Sequence, residues 1–144
     1  MEIIECKEKK EFLDNYTILK LLYTKDLYPH FTQAAYEAML PDLLSEGYRQ
    51  LMACIDGEVV GVAGFSRITR LYIGKVMRIN DFVLKEEYRS QGIGKKLLHY
   101  IESEAQKSQC SALVLDTSIE RKEAHKFYER HGFEVRAHHY IKRL

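Results

Sequence analysis

A short glycine-rich loop holds the residue types most suited to chemistry in this chain. Residues 89–95 read R-S-Q-G-I-G-K, directly after an apolar run at 82–84 and directly before a segment with helical periodicity. The first backbone N–H groups of a helix lack internal partners, and the helix dipole favours an anion there. Glycine allows the backbone to approach such a ligand closely. The spacing therefore predicts a phosphate site at the helix start.

Two common phosphate-binding patterns do not fit this loop. The sequence G-x-x-x-x-G-K-[ST] of nucleotide-binding P-loops is absent from it. The dinucleotide fingerprint needs a third glycine, which this loop lacks. That fingerprint also does not follow an antiparallel meander, as this loop is expected to do. A nucleotide binder stays a rival interpretation that ligand specificity would decide.

Hydrophobic periodicity predicts the elements that must position the loop. The order is β, α, α, β, β, β, α, β, α, β. The predicted ranges are strand 2–6, helices 8–27 and 32–45, strands 48–55, 58–68 and 75–84, helix 92–107, strand 111–116, helix 120–130, and one bent or two short strands over 133–144.

This order predicts an α/β (α+β) fold with a mixed sheet. Residues 48–84 should form an antiparallel meander, with a tight hairpin at Asp56-Gly57. The helical crossover that follows should place the strand at 112–116 parallel and adjacent to 80–84. Its apolar composition favours an inner strand covered on both faces. Gly61 and Gly64 predict a bulge or a close approach, and Pro41 a kink or an early helix stop.

Composition places the chain among ordinary globular proteins. The 144 residues fit one domain, 1–144, and 46% hydrophobic with 30% charged residues excludes disorder. The net charge of +1 gives no whole-chain attraction to nucleic acid or to a membrane. Three scattered cysteines favour neither a disulfide framework nor a zinc site. Without a signal sequence or a long apolar run, we expect a cytoplasmic domain without metal.

Two motifs together resemble a known family. Residues 89–94 resemble the R/Q-x-x-G-x-G/A signature of the GNAT superfamily of acyl-CoA-dependent N-acyltransferases. Residues 124–133, A-H-K-F-Y-E-R-H-G-F, resemble its A-x-x-F-Y-x-x-x-G-F segment. The resemblance covers most of the chain and is specific from about Met77 to Phe133. It implies about four helices and a cleft where the central parallel strands splay apart.

The resemblance also implies a coenzyme, acetyl-CoA, and its contacts. The pyrophosphate would lie on the backbone N–H groups of 91–95, with charge-assisted bonds from Arg89 or Lys95. The pantetheine arm would bond the backbone of 82–84, and a donor there would stabilise the oxyanion. The implied coenzyme-binding residues are Phe82, Val83, Leu84, Arg89, Ser90, Gln91, Gly92, Ile93, Gly94, Lys95, Arg121 and Phe127.

Two proton-handling roles follow from direct attack of an amine on the thioester. Tyr128 matches the family tyrosine that stabilises or protonates the leaving thiolate, although a tyrosine pKa of ~10 exceeds a thiol pKa of ~8.5. The amine must be neutral, so a base is needed, often through water. Asp81 is the first candidate, because it points opposite to Phe82 and Leu84. His138, His139 and Tyr140 are further candidates for reaching the cleft.

The resemblance leaves the acceptor open. Many family members have an asparagine that contacts the pantetheine where this chain has Arg121, which could reach a phosphate instead. Tyr28 or Phe31, near a helix break, is expected to line a substrate pocket. We expect transfer to a primary amine of a small molecule or a protein, and a homodimer is possible. A non-catalytic acyl-CoA-binding regulatory module of the same fold is the alternative.

Overall fold

The computed structural model describes residues 1–144. Five strands and five α-helices follow one another as β1 (Glu2–Glu5), α1 (Lys9–Asp14), α2 (Tyr16–Leu22), α3 (Gln33–Ser45), β2 (Arg49–Ile55), β3 (Glu58–Arg70), β4 (Gly74–Leu84), α4 (Ile93–Lys107), β5 (Ala112–Leu115) and α5 (Lys122–Arg130). A single 3₁₀ turn, Glu86–Tyr88, connects β4 to the loop before α4.

The five strands form one sheet in the order β1-β2-β3-β4-β5. The first three pairings are antiparallel, and β5 is parallel to β4. Both the meander and the parallel crossover predicted from the sequence are therefore confirmed. The predicted irregularity at Gly64 is also present, because the β3–β4 register shifts between Gly64 and Phe65.

Helices cover both faces of the sheet, as two neighbouring residues of β2 demonstrate. Arg49 lies 3.3 Å from Glu104 of α4. Gln50 bonds Asn15 and Tyr36, on the side of α1–α3. Successive side chains of a strand point to opposite faces, so α4 and α1–α3 pack on different faces.

Each face buries an apolar stripe. The side under α1–α3 holds a core of Cys6, Phe12, Ile18, Leu19, Tyr36, Leu40, Tyr48, Met52, Val62 and Val83. On the other side, α4 buries residues at helical spacing, Leu97, Leu98, Ile101 and Ala105, each at most 5% exposed. This stripe fixes the orientation of α4 and therefore the position of its N-terminus.

The first predicted helix, 8–27, is two shorter helices. Asn15 separates α1 from α2, because its buried side chain turns inward and donates to Gln50 Oε1 (2.7 Å). The second helix ends at Leu22 rather than near Pro29, since Tyr23 leaves helical geometry with φ −102° and ψ 73°. Buried polar contacts override the apolar periodicity at both points.

The third helix begins as predicted. Thr32 caps it by accepting the N–H of Ala35 at 3.1 Å. The early stop considered at Pro41 is wrong, because the helix continues to Ser45. Tyr36 and Leu40, both 2% exposed, hold the helix against the core in the turn before the missing N–H of Pro41.

The predicted C-terminal strand, 133–144, is also wrong. These residues have no regular secondary structure, and Val135 and Tyr140 are more than 80% exposed. Their apolar side chains alternate with charged ones but are not buried. No hydrophobic stabilisation therefore offsets the conformational entropy that would be lost if a strand formed. As a result β5 ends the sheet and is half-buried rather than an inner strand covered on both faces.

The chain divides into two compact units, Met1–Val114 and Leu115–Leu144. The first contains α1–α4 and nearly all of the sheet. The second contains α5, which ends at Arg130 with His131 as its C-cap, and Gly132 follows with a φ of +89°. None of the helices combines the length and the apolar character needed to cross a bilayer.

Candidate functional site

The loop before α4 has the geometry of an anion site. Gly92 is the N-cap of α4 with a φ of +82°, and Ser90 also has a positive φ, 61°. The first bond of the helix runs from the Lys96 N–H to the Gly92 carbonyl (3.2 Å). The N–H groups of residues 93–95 precede that bond and point out of the helix start, as an anion requires.

The surroundings of the loop leave room for a diphosphate. Arg89, Gln91, Gly92 and Lys95 are exposed, and a Cβ added to Gly92 would meet nothing within 4 Å. Gly92 is therefore required by its left-handed φ rather than by lack of space. Arg89 Nη2 contacts the Leu84 carbonyl (3.4 Å), which ties the loop to β4. The binding of a diphosphate by these residues stays a prediction.

The end of β4 extends past its parallel neighbour. Ser111, just before β5, donates its N–H to the Lys75 carbonyl at 2.8 Å, near the start of β4. Since β5 is only four residues long, the last residues of β4, Phe82–Leu84, lie beyond its pairing range. The backbone of Phe82–Leu84 therefore lies outside the pairing with β5, and the splayed cleft that the family resemblance implies stays a prediction.

Asp81 is a partly buried, hydrogen-bonded residue of β4. The Tyr23 hydroxyl donates to Oδ1, and the Tyr48 hydroxyl donates to Oδ2 at 2.6 Å. Its cross-strand partner is Gly64, where a Cβ would overlap both the Tyr48 hydroxyl and Oδ2 of Asp81. Glycine at position 64 therefore makes room for the contact between Tyr48 and Asp81.

The surroundings of the Asp81 carboxyl raise its pKa. Burial raises the pKa of Asp81, while the hydroxyls of Tyr23 and Tyr48 and the charge of Arg78 lower it less. Burial, and then the Asp81 charge, hold the pKa of Tyr48 well above its usual range. The proton between the two groups therefore stays on the phenol, so Tyr48 donates and Asp81 accepts.

The face on which Asp81 lies is the one covered by α1–α3. The Asp81 side chain points to the opposite face of β4 from Phe82 and Leu84, as predicted. It lies on the same face as Val83 of the core. Sequence reasoning missed the roles of Tyr23 and Tyr48, which it treated as a helix-stripe residue and a strand start. Gly64 opposite Asp81 was the signal that could have indicated a crowded polar contact.

Tyr28 and Phe31 both contact Tyr23, whose hydroxyl donates to Asp81. The Tyr23 ring packs edge-on against Tyr28 at 5.4 Å and against Phe31 at 5.3 Å between centroids. Tyr28 is 41% exposed, whereas Phe31 also contacts Tyr16 and Tyr36 of the core. Of the two predicted pocket residues, Tyr28 is the one open to solvent.

Tyr128 lies in the second unit in an aromatic setting. It is 7% exposed, and its ring packs edge-on against Phe127 and Phe133, each 5.4 Å away between centroids. Burial raises the pKa of Tyr128 to about 12, and the charge of Arg121 opposes that shift. A phenol with that pKa stabilises a thiolate by hydrogen bonding more readily than by full proton transfer.

The other candidates of the second unit have structural contacts. Arg121 is exposed at the N-cap of α5 and makes no capping bond with its side chain. His139 Nδ1 lies 3.4 Å from Asp116, and the His138 ring packs loosely against Tyr140. Their predicted access to the cleft stays a prediction.

One surface cavity lies apart from these groups. It has a volume of about 440 Å³ and is lined by Ser45, Glu46, Gly47, Arg49, Arg67, Met77 and Ser108. None of them is a predicted site residue. No group of three or more His, Cys, Asp or Glu residues is arranged to hold a metal ion, and the three cysteines are free thiols.

A family model decides the classification. The model of the acetyltransferase (GNAT) family matches residues 15–133, which include the loop, the meander and α5. The chain belongs to the GNAT family. The sequence resemblance, based on two motifs, and the mixed-sheet fold expected from it are thereby confirmed.

Named relatives of this GNAT protein are N-acetyltransferases or acetyltransferases. The aminoalkylphosphonate N-acetyltransferase of Salmonella typhimurium strain LT2 is 30% identical over 113 residues, covering 78% of this chain and 73% of the relative. The IAA acetyltransferase of Azospirillum brasilense is 32% identical over 114 residues, covering 79% and 71%.

Solved structures support the fold of this GNAT protein. The aminoglycoside N-acetyltransferase AAC(6')-Iy, solved in complex with CoA, matches with a TM-score of 0.77 and 21% identity. The match covers 99% of this chain and 96% of that one. At this identity the likeness concerns the fold alone.

Proposed function

We propose that this protein moves an acetyl group from acetyl-CoA to the primary amine of a small molecule, by direct attack in a ternary complex. The observation that carries the proposal is the Asp81 carboxylate, held by two tyrosine hydroxyls on the strand that leads to the family's coenzyme loop. A partly buried, oriented carboxylate with a raised pKa suits a general base.

The coenzyme is assigned to the α4 start and the end of β4. The N–H groups of residues 91–95 would bind its pyrophosphate, with Arg89 and Lys95 adding positive charge. The backbone of Phe82–Leu84 would bond the pantetheine arm and direct a donor at the thioester oxygen, where negative charge develops. The open surface at Gly92 supports this placement.

Two side chains, Asp81 and Tyr128, assist the bond changes of the proposed reaction. The amine nitrogen forms a bond to the acetyl carbon, and the carbon–sulfur bond breaks. Asp81 takes the proton that the nitrogen loses, directly or through water. Tyr128 donates a hydrogen bond to the departing sulfur, and the raised pKa of Tyr128 limits full proton transfer.

A small-molecule acceptor is supported by the relatives. The curated relative named as an aminoalkylphosphonate N-acetyltransferase and the structural neighbour named as an aminoglycoside N-acetyltransferase are named for low-molecular-weight amines. The net charge of +1 gives no general preference for a strongly charged acceptor.

An amine screen with detection of free thiol tests the proposal. Purified protein is incubated with acetyl-CoA and a panel that includes aminoalkylphosphonates, aminoglycosides, arylalkylamines, diamines and peptides. The expected result is CoA release that requires one class of small amine and yields the N-acetyl product by mass spectrometry. Tight acetyl-CoA binding without turnover on any amine would instead favour the non-catalytic module.

A further inference from the structure

Three buried polar side chains form a hydrogen-bonded chain that ends on the partly buried Asp81. Asn15 Nδ2 donates to Gln50 Oε1 at 2.7 Å, Gln50 Nε2 donates to the Tyr48 hydroxyl at 3.0 Å, and that hydroxyl donates to Asp81 Oδ2 at 2.6 Å. Asn15, Gln50 and Tyr48 are 1%, 0% and 7% exposed. None of the three belongs to the motifs that identify the family.

The direction of this chain follows from its chemistry. An amide nitrogen can only donate, so the Tyr48 hydroxyl accepts from Gln50 and must use its own proton on Asp81. The Gln50 amide is oriented in turn, because its oxygen receives the Asn15 amide and the protonated thiol of Cys6 (3.7 Å). Burial raises the pKa of Cys6 to about 12, which keeps that proton in place. Bonds aligned in one direction strengthen one another.

The backbone provides for this contact as well. Gly64 of β3 faces Asp81, and any larger residue would displace the Tyr48 hydroxyl from Oδ2. A solvent-exposed structural carboxylate would need neither this clearance nor a buried orienting chain. The arrangement therefore fixes one oxygen of Asp81 and leaves the orientation of the carboxylate little freedom.

We propose that Tyr48 is a positioning residue for acetyl transfer, which holds the Asp81 carboxylate in its reactive orientation and is itself aligned by Gln50 and Asn15. This inference rests on the proposed function, in which Asp81 accepts the amine proton. Tyr48 does not touch the reacting atoms; it acts through Asp81.

Four titratable or charged groups surround Asp81 and determine how its pKa would respond to a substitution. They are Tyr23 after α2, Tyr36 of α3, Tyr48 before β2 and Arg78 of β4. A donor to the ionised carboxylate lowers its pKa, so removing the Tyr48 hydroxyl raises the Asp81 pKa further. The base then becomes ionised only at higher pH, and the acid limb of the rate profile moves up.

The test compares Tyr48→Phe with Tyr36→Phe. Both hydroxyls accept from Gln50 Nε2, at 3.0 and 3.1 Å, but only Tyr48 bonds Asp81. Titration of the Asp81 carboxyl by carbon-13 NMR, assigned by its loss in Asp81→Asn, should move up by about one pH unit in Tyr48→Phe. It should stay unchanged in Tyr36→Phe. The kcat profile at saturating substrates should shift in parallel, with the KM for acetyl-CoA unchanged.

Two outcomes separate this inference from the proposed function. If Asp81→Asn greatly slows transfer but Tyr48→Phe titrates and turns over like the wild type, Tyr48 has no positioning role. If Asp81→Asn turns over like the wild type, the base assignment itself fails. Should Tyr48→Phe not fold, Gln50→Met removes the donor to Tyr48, and the same upward shift of smaller size is expected; no shift would overturn the inference.

Discussion

Asp81 and Tyr128, the two proposed proton-handling groups, are held in place by different forces. Asp81 receives two directed hydroxyl bonds on β4, the last strand of the meander. Tyr128 is packed by the rings of Phe127 and Phe133 on a helix. Hydrogen bonds fix the orientation of the carboxylate, whereas ring packing fixes the position of the phenol and leaves its pKa at about 12.

The difference indicates how each group contributes. A carboxylate with a raised pKa and a fixed orientation can accept a full proton from the amine. A phenol with a pKa of about 12 contributes a hydrogen bond to sulfur rather than a proton. Loss of the first should therefore be more damaging than loss of the second.

Replacing Asp81 should have the largest effect. Asp81→Asn keeps the size of the side chain but removes the base, so kcat should fall by about 10²- to 10⁴-fold, the usual contribution of general base catalysis. Steady-state kinetics with thiol detection measures it. Acetyl-CoA affinity by calorimetry is the control and should be unchanged; a loss of affinity would mean that Asp81 supports the coenzyme site instead.

Replacing Tyr128 should have a smaller effect. Tyr128→Phe removes one hydrogen bond to a developing charge, a loss of about 1.5–3 kcal/mol, which lowers kcat by about 10- to 150-fold. The ring packing with Phe127 and Phe133 should persist, so thermal stability is the control. Wild-type turnover in Tyr128→Phe would remove this tyrosine from the mechanism.

The coenzyme loop offers a matched pair of glycine substitutions. Gly92 and Gly74 have the same φ of +82° and equally open surroundings. A valine at either position is strained, at roughly 1–2 kcal/mol or more, so both variants should lose stability. Only Gly92→Val should also raise the KM for acetyl-CoA, by about tenfold. Equal KM values in the two variants would contradict the placement of the pyrophosphate.

The exposed aromatic side chain beside Tyr23 should have the smallest effect. Tyr28→Leu removes a ring that can contact the acceptor, and an aromatic contact of about 0.5–1.5 kcal/mol corresponds to a two- to tenfold rise in acceptor KM. Tyr72→Leu, at an 81% exposed position in the β3–β4 turn, is the control. Identical acceptor KM values in both variants would place the acceptor elsewhere.

The sequence correctly predicted the features that depend on residues close together in the chain. The loop at 89–95 and the cap at Thr32 depend on residues close in the chain, and both lie where the spacing predicts. It failed where distant residues decide. Asn15 breaks a helix because of Gln50, 35 residues away, and Tyr23 ends one as its hydroxyl bonds Asp81, 58 residues away.

The C-terminal segment illustrates the opposite failure. Val135 and Tyr140 have the β propensity from which a strand was predicted, yet they lie exposed in irregular chain. Strand propensity reflects packing against neighbours more than an intrinsic backbone preference. Pattern alone does not tell whether such neighbours exist.

The central claim, that Asp81 takes the proton of the amine, is tested most directly by the pH dependence of a single turnover. Wild type and Asp81→Asn are saturated with acetyl-CoA and acceptor, and the rate of acetyl transfer is followed from pH 4 to pH 9. The account predicts that the wild-type rate falls on the acid side as Asp81 becomes protonated, above the ordinary range of an aspartate because burial raises its pKa. Asp81→Asn should be slow and lack that limb. The same limb and a comparable rate in both proteins would contradict the account.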